Sequence, residues 1–471
     1  MITTRIYDIA AAAGGCVIPE KMKDAFVRSV EIDSRKITLG ALFIPIIGER
    51  VDGHDYIESA FDLGATCALI NADHLKDHEE KLPFGKALIV VEDTEAALEK
   101  IAEAYRRQFP IPVVGVTGSV GKTSCKDLVT AALSGSVDVP GFKTLKTTGN
   151  HNNNIGMPLT LFELDESYQA AVMEMGMDHF GEITRLSRTA RPKVGIITNI
   201  GISHLENLGT REGILKAKME IADYLEKDGI LFLNGDDCRL YGLKGKRPER
   251  IEYFGWGEQN EGRIVRAELT ADGRLDFEGI YQGETWQVVV NTPGRHMAMN
   301  VMPAIMTGCF LGLSKEQILA GISTYEPADG RLNVHHTDLL TVIDDSYNAS
   351  PDSMRGALDT LRDLPGNGRR IAILGEMYEL GSQEEAGHRE VGAYAAGITN
   401  LDALWTVGPM AGWIADEASA RNDLKILRFE TPEALLEQLD ALIRPEDIIV
   451  VKASNGMHLN RVVNELLEKG K

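Results

Sequence analysis

The stretch GVTGSVGKTS, residues 115–124, combines three glycines with a lysine and several hydroxyl side chains. That mixture suits a polyphosphate. Backbone N–H groups of Gly118, Ser119, Val120 and Gly121, with those of Lys122, Thr123 and Ser124 at a helix start, are donors for phosphate oxygens. The Lys122 ammonium would neutralise the outer phosphates, and Thr123 Oγ would ligate Mg²⁺. The spacing departs from the usual G-x-x-x-x-G-K-[ST], whose first glycine would fall on Val116. A nucleotide site is therefore expected, but not that of a standard GTPase or motor ATPase.

Other candidate groups stand where apolar strands end. AVMEMGM delivers Glu174, and GIITNIGISHLE delivers His204 just beyond its strand. Parallel α/β sheets bind ligands at the carboxyl ends of their strands, so Lys122, Glu174 and His204 should meet at one crevice, the last two as Mg²⁺ ligands. TLKTTGNHNNNIGMPLT holds Asn150, Asn152, Asn153 and Asn154. Such density fits a turn and fits equally a contact to sugar or amide groups. His296 and Asn300 are spaced i, i+4 for one helix face. Arg331 enters the last third of the chain. Asp344 and Asp345 end a strand, and Ser350–Pro351 reads as a helix cap and first turn. In GTREGILKAKMEIADYL a helix should begin near Thr210, with Lys216 and Lys218 most simply on its surface.

These groups need a scaffold, and the alternation of elements supplies one. Residues 1–109 carry short β-branched runs, a helix-like DYIESAFDLG and an amphipathic TEAALEKIAEAYRRQ capped by Thr94, before FPIP breaks the chain. Residues 110–326 open on IPVVGVTG and continue through QAAVMEMG, KVGIITNI and GILFLN, strands separated by helices. Residues 250–292 look like a small antiparallel insert. Residues 327–471 alternate again as a second doubly wound unit. The expectation is an α/β protein of three domains, with a central phosphate-loop parallel-sheet domain and a C-terminal Rossmann-like domain. A hinge is expected near residues 326–332.

Seventy acidic against 49 basic residues give a net charge of -21 in a chain of 471 residues. That balance argues against nucleic acid or an anionic membrane as partner. Five scattered cysteines, none in a C-x-x-C pair, read as reduced thiols of a cytoplasmic protein. The first residues lack a basic region followed by an apolar run, so no signal peptide is expected, and no run is long enough to span a membrane.

Taken together, these motifs resemble the Mur ligase family, most closely its MurF type, over nearly the whole chain. The similarity rests on DSRKITLGALFIPIIGERVDGHDYIESAFDLGA, TGSVGKT, TTGNHNNNIGMPLT, EMGMDHFGEI, NIGISHLENLGTREGILKAKMEI, DDSYNASPDSM and ILGEMYELG, in that order. The resemblance implies an ATP-dependent, amide-bond-forming ligase of peptidoglycan precursor synthesis, joining D-alanyl-D-alanine to UDP-N-acetylmuramoyl-tripeptide. A sister Mur-type or folylpolyglutamate-type ligase with another amine is the alternative. It implies ATP and two Mg²⁺ as cofactors and a monomer. Residues 1–109 would bind the UDP substrate, 110–326 ATP, and 327–471 the amine.

By matched position, the resemblance gives Lys122, His204, Lys218 and Arg331 catalytic roles. It puts Thr123, Glu174, His204 and Lys218 at the metals, with Lys218 carbamylated by CO₂. Asn300 would contact adenine, Arg331 phosphate and Asp345 ribose. Ser34, Arg35, Thr148, Asn150, Asn152, Tyr347 and Asn348 would bind substrate. The chain departs from the family pattern at Met297, Ser350 and Glu376, and in VKASNGMHL near its end.

Overall fold

The computed structural model describes residues 1–470. Among these, the strands form four sheets, one a two-stranded ribbon near the N-terminus. The first large sheet runs in the order Cys16–Ile18, Ala87–Val91, Cys67–Asn71, Ala41–Phe43, Ser29–Glu31, parallel except at Cys16–Ile18. Helix Thr94–Arg106 follows it. Its cap is Asp93, not Thr94: the Asp93 carboxylate accepts from the N–H groups of Glu95 and Ala96. Thr94 Oγ1 instead donates to the Pro45 carbonyl at 2.6 Å.

The nine-stranded central sheet has Val113–Thr117 between Val194–Ile197 on one side and Ala170–Glu174 on the other, all parallel. These strands are buried on both faces, which is why they read as continuous apolar runs. The chain crosses from one side of Val113–Thr117 to the other between Ala170–Glu174 and Val194–Ile197. Their carboxyl ends therefore flank a topological switch point, where open α/β sheets form a crevice.

Residues 250–292 are not a separate insert. Arg250–Gly255 pairs in parallel with Ile230–Asn234, Gly262–Leu269 pairs in parallel with Arg250–Gly255, and only Leu275–Tyr281 and Glu284–Val290 add antiparallel strands at the edge. One continuous sheet lets Phe254, Phe277 and Trp286 join a single core with helix Ala298–Phe310.

The third sheet carries parallel strands in the order Thr341–Asp344, Ile448–Lys452, Arg370–Leu374, Ala403–Val407, Lys425–Phe429, edged by antiparallel Asn333–His336. The first unit is clamped to the second. Buried Arg106 donates to the carbonyls of Ala190, Phe109 and Ile111, and Arg188 and Arg191 reach Glu99 and Glu103.

Candidate active site

The phosphate-type loop is shaped by its neighbours. Gly118 has φ 153°, and a Cβ there would fall 1.8 Å from Thr198 Oγ1. Gly121, at φ 83°, precedes helix Lys122–Ser134. The next strand's end grips the loop. Asn199 Oδ1 accepts from Ser119 N and Val120 N at 3.0 and 2.9 Å, Thr198 Oγ1 donates to the Val120 carbonyl, and Ser119 Oγ accepts from Gly201 N. Thr198 and Asn199, which hold the loop in this shape, are not signalled by the sequence, although both follow a strand end close to His204. Lys122 Nζ donates to the Gly118 carbonyl at 2.8 Å. Burial lowers its pKa, while Glu174 acts in the opposite sense.

Glu174 sits at the carboxyl end of the adjacent strand, 2% exposed. One carboxylate oxygen, Oε1, accepts from Asn152 Nδ2 at 2.9 Å, while Oε2 is buried with no partner. A buried anionic oxygen without a donor is costly unless a cation meets it. The asparagine-rich loop thus divides its work. Asn153 Oδ1 accepts from Ile155 N and Gly156 N at the start of helix Gly156–Leu161, the turn role, while Asn152 holds Glu174 and Asn150 is exposed on the cleft.

His204 holds a left-handed backbone, φ 62°, and its Nδ1 lies 2.9 Å from Asp178 Oδ1. Burial, with the charges of Lys122 and Lys218, pushes its pKa down to about 4. A neutral ring with Nδ1 turned to Asp178 leaves Nε2 as a free lone pair. Lys218 is not a surface residue. It is 1% exposed on helix Arg211–Met219, with no hydrogen bond or ion pair from Nζ among the described residues. Burial, aided by the Lys122 charge, holds its pKa well below the ordinary lysine value. Lys216 is exposed, its Nζ 5.6 Å from the Phe180 ring centroid.

A cleft of about 900 Å³ gathers Ser119, Val120, Gly121, Lys122, Thr123, Asn150, Asn152, Glu174 and His204 from the central unit. Arg331, Tyr347 and Asn348 form the opposite wall. The Arg331 guanidinium lies over the Tyr347 ring, 4.2 Å from its centroid. Lys126, buried and bonded to the Thr147 carbonyl, also lines the cleft and went unremarked in the sequence.

Several expected residues stand outside that lining. Gly118 and Lys218 are not among its lining residues. Asn300 backs the loop, with its Oδ1 3.2 Å from where a Cβ on Gly121 would sit. His296 lies in the 3-10 turn Arg295–Met297 that leads into the helix of Asn300, with its ring near Gly294 and Gly356. Asp345 is buried and paired with Lys452 Nζ at 2.6 Å. Ser124 is half-buried in the first helical turn, Thr148 is exposed, and Ser34 and Arg35 belong to the first unit, where Arg35 is held by Asp33.

Family models match the chain in three blocks: "Mur ligase family, catalytic domain" over residues 26–106, "Mur ligase middle domain" over 116–308, and "Mur ligase, glutamate ligase domain" over 330–455. The UDP-N-acetylmuramoyl-tripeptide–D-alanyl-D-alanine ligase of Bacillus subtilis is 35% identical, with 99% of each chain covered. The chain belongs to the Mur ligase family, of the MurF type. Its structure superposes on MurF from Acinetobacter baumannii with a TM-score of 0.88 at 29% identity, covering 99% of both chains. MurF from Thermotoga maritima, solved in complex with ADP, gives 0.81 at 27% identity, covering 94% of this chain and 98% of that one.

Within this Mur ligase, two departures from the family pattern serve the scaffold. Ser350 caps helix Pro351–Asp363 in a reciprocal capping box with Ser353. Glu376 Oε1 accepts from Met410 N at 2.9 Å, tying two strand-end loops together. Lys452, in the altered C-terminal motif, pairs with Asp345 and also donates from Nζ to the Asn348 carbonyl at 2.8 Å.

Proposed function

We propose that this protein uses ATP to join D-alanyl-D-alanine to UDP-N-acetylmuramoyl-tripeptide in peptidoglycan precursor synthesis. Residues 1–109 would hold the UDP moiety through Ser34 and Arg35, 110–326 the ATP, and 327–471 the amine. The carrying observation is the buried, half-satisfied Glu174 beside the Lys122 loop, in a cleft whose far wall is Arg331 and Tyr347. That arrangement supports a nucleotide, a metal and a third reactant meeting in this cleft.

A carboxylate resists amine attack because oxide is its leaving group. Transfer of the γ-phosphoryl group from ATP to the tripeptide carboxylate gives ADP and an acyl phosphate, whose leaving group is phosphate. The amine then attacks the acyl carbon, and the tetrahedral intermediate, having lost the amine proton, collapses to the amide and expels phosphate. Lys122 and Arg331 offset the repulsion between ATP and the carboxylate and hold the phosphoryl group in line. Asn150 and Thr148 orient the peptide; Asn300 and Asp345 steady the nucleoside end.

Two Mg²⁺ fit the donor set. Thr123 Oγ1 and the free Glu174 Oε2 would hold one, and His204 Nε2 with a carbamate on Lys218 the other; bound there, they would shield the phosphate charge. The Lys218 carbamate is what the family resemblance implies, and the residue's burial supports it. A buried, unpaired amine that sheds its proton readily is the form that reacts with CO₂, and the carbamate reverses its charge.

No helix among the described residues is long and apolar enough to cross a membrane. ATP as a substrate and five free cysteines favour the cytoplasm, with the protein acting as a monomer. The test is product analysis. UDP-muramoyl-tripeptide, ATP and D-alanyl-D-alanine should give one adduct with the mass of the two substrates less water, and one phosphate for each adduct. Preference for D-glutamate, L-lysine or a folate substrate would instead establish the sister-ligase reading.

A further inference from the structure

The loop after strand Arg370–Leu374 carries a single carboxylate into the cleft from the C-terminal unit. Among the described cleft-lining residues beyond Arg331, Glu379 alone bears a charge. Its backbone is left-handed, φ 64°, a region that glutamate rarely adopts and that clusters at functional sites. The loop is fixed on both flanks. Met377 N donates to His388 Nε2 at 3.0 Å and Tyr378 N to Ser454 Oγ at 2.9 Å. On the other side Gly381 sits against Glu206 of the central unit, so close that a Cβ would come within 3.0 Å of the Glu206 Cβ.

The Glu379 side chain is 69% exposed, and its Oε2 lies 3.9 Å from His204 Nδ1. Among the described residues, no lysine or arginine is within ion-pair distance of it. A carboxylate without a lysine or arginine partner beside the proposed phosphoryl-transfer centre repels ATP and the acceptor carboxylate. It attracts an ammonium group such as the one the incoming dipeptide carries.

We propose that Glu379 receives the ammonium group of the incoming dipeptide and sets its nitrogen on the His204 side of the cleft. It is thus a specificity-determining residue for the amine, an inference that rests on the ligase reading above. Its neighbour Tyr378, whose ring also lines the cleft, bounds the space beside that ammonium.

The experiment uses the full chain with Glu379→Gln, which keeps the shape, and Glu379→Gly, which also relieves the left-handed backbone. Steady-state kinetics should show the KM for D-alanyl-D-alanine raised about 10- to 100-fold in both, the worth of one charge-assisted contact. The KM values for ATP and UDP-tripeptide should hold. Glu379→Asp should recover part of the amine affinity. Without amine, UDP-tripeptide-dependent scrambling of oxygen-18 between the bridging and non-bridging positions of ATP should persist in every variant. An unchanged amine KM overturns the proposal. So does loss of the scrambling, which would place Glu379 in the phosphoryl step or in holding the two units together. Absence of any amine-dependent product in the unaltered protein would instead bring down the ligase reading itself.

Discussion

Asn152 Nδ2 donates to Glu174 Oε1 at 2.9 Å, which fixes the carboxylate and leaves its second oxygen buried and unmatched. The asparagine is itself held, since its carbonyl accepts from Gly176 N at 2.8 Å. Asn152→Ala should therefore loosen Glu174 without unfolding the chain. Partners of this kind are worth about 10–100-fold in metal affinity or activity. The rate measured against Mg²⁺ concentration should shift to higher magnesium; an unmoved curve would separate Asn152 from the metal.

Lys218 and Lys216 lie two positions apart and should behave in opposite ways. Lys218→Met fills the same buried space without an amine, so the fold should hold or gain stability. Ligation should nevertheless fall by at least about 10²-fold, because an anionic metal partner is gone. Lys218→Arg should do no better, as arginine keeps a positive charge. Lys216→Ala should stay active. The four proteins assayed side by side decide the matter, and full activity in Lys218→Met would return the residue to a packing role.

Gly118→Ala places a methyl group where Thr198 Oγ1 already stands. The loop must shift, and its N–H groups with it. Nucleotide affinity should drop at least about tenfold, roughly 1.4 kcal/mol, while the circular dichroism spectrum is kept. Wild-type ATP binding in this variant would mean that the loop does not cradle phosphate in the observed conformation.

The cysteines give an independent check on packing. Cys67 and Cys125 are fully buried, and burial raises their thiol pKa far above the ordinary value; Cys309 is half-buried and pushed up to about 12. The thiolate is the reactive form, so all three should resist alkylation at pH 8. Cys16 and Cys238 are exposed and should react first. Peptide mapping after brief iodoacetamide treatment reads this directly. Early labelling of Cys125 would mean that helix Lys122–Ser134 is not seated on the central sheet.

Much of this scaffold was legible because parallel strands buried on both faces announce themselves as unbroken apolar runs, and their ends mark the crevice. Lys122, Glu174 and His204 were found in that way. Lys218 was misplaced on the surface although a signal existed: Ile214, Ala217, Lys218 and Ile221 recur at i, i+3, i+4 and i+7, and the three apolar members are buried with it. A lysine within such a stripe asks why it is there. Residues 250–292 look like an antiparallel insert because alternation shows that a strand exists but not which edge it joins, or whether the pairing is parallel. The contacts of Thr198 and Asn199 and the Asp345–Lys452 pair leave no local mark in the sequence, since each joins residues at least 78 positions apart.

The central claim is that a carboxylate is phosphorylated before the amine attacks. Oxygen-18 placed in the terminal carboxylate of the tripeptide, followed into the released phosphate by mass spectrometry, tests this most directly. One labelled oxygen should appear in phosphate for each amide formed, in step with product. Phosphate that carries no label while the amide accumulates would contradict the account.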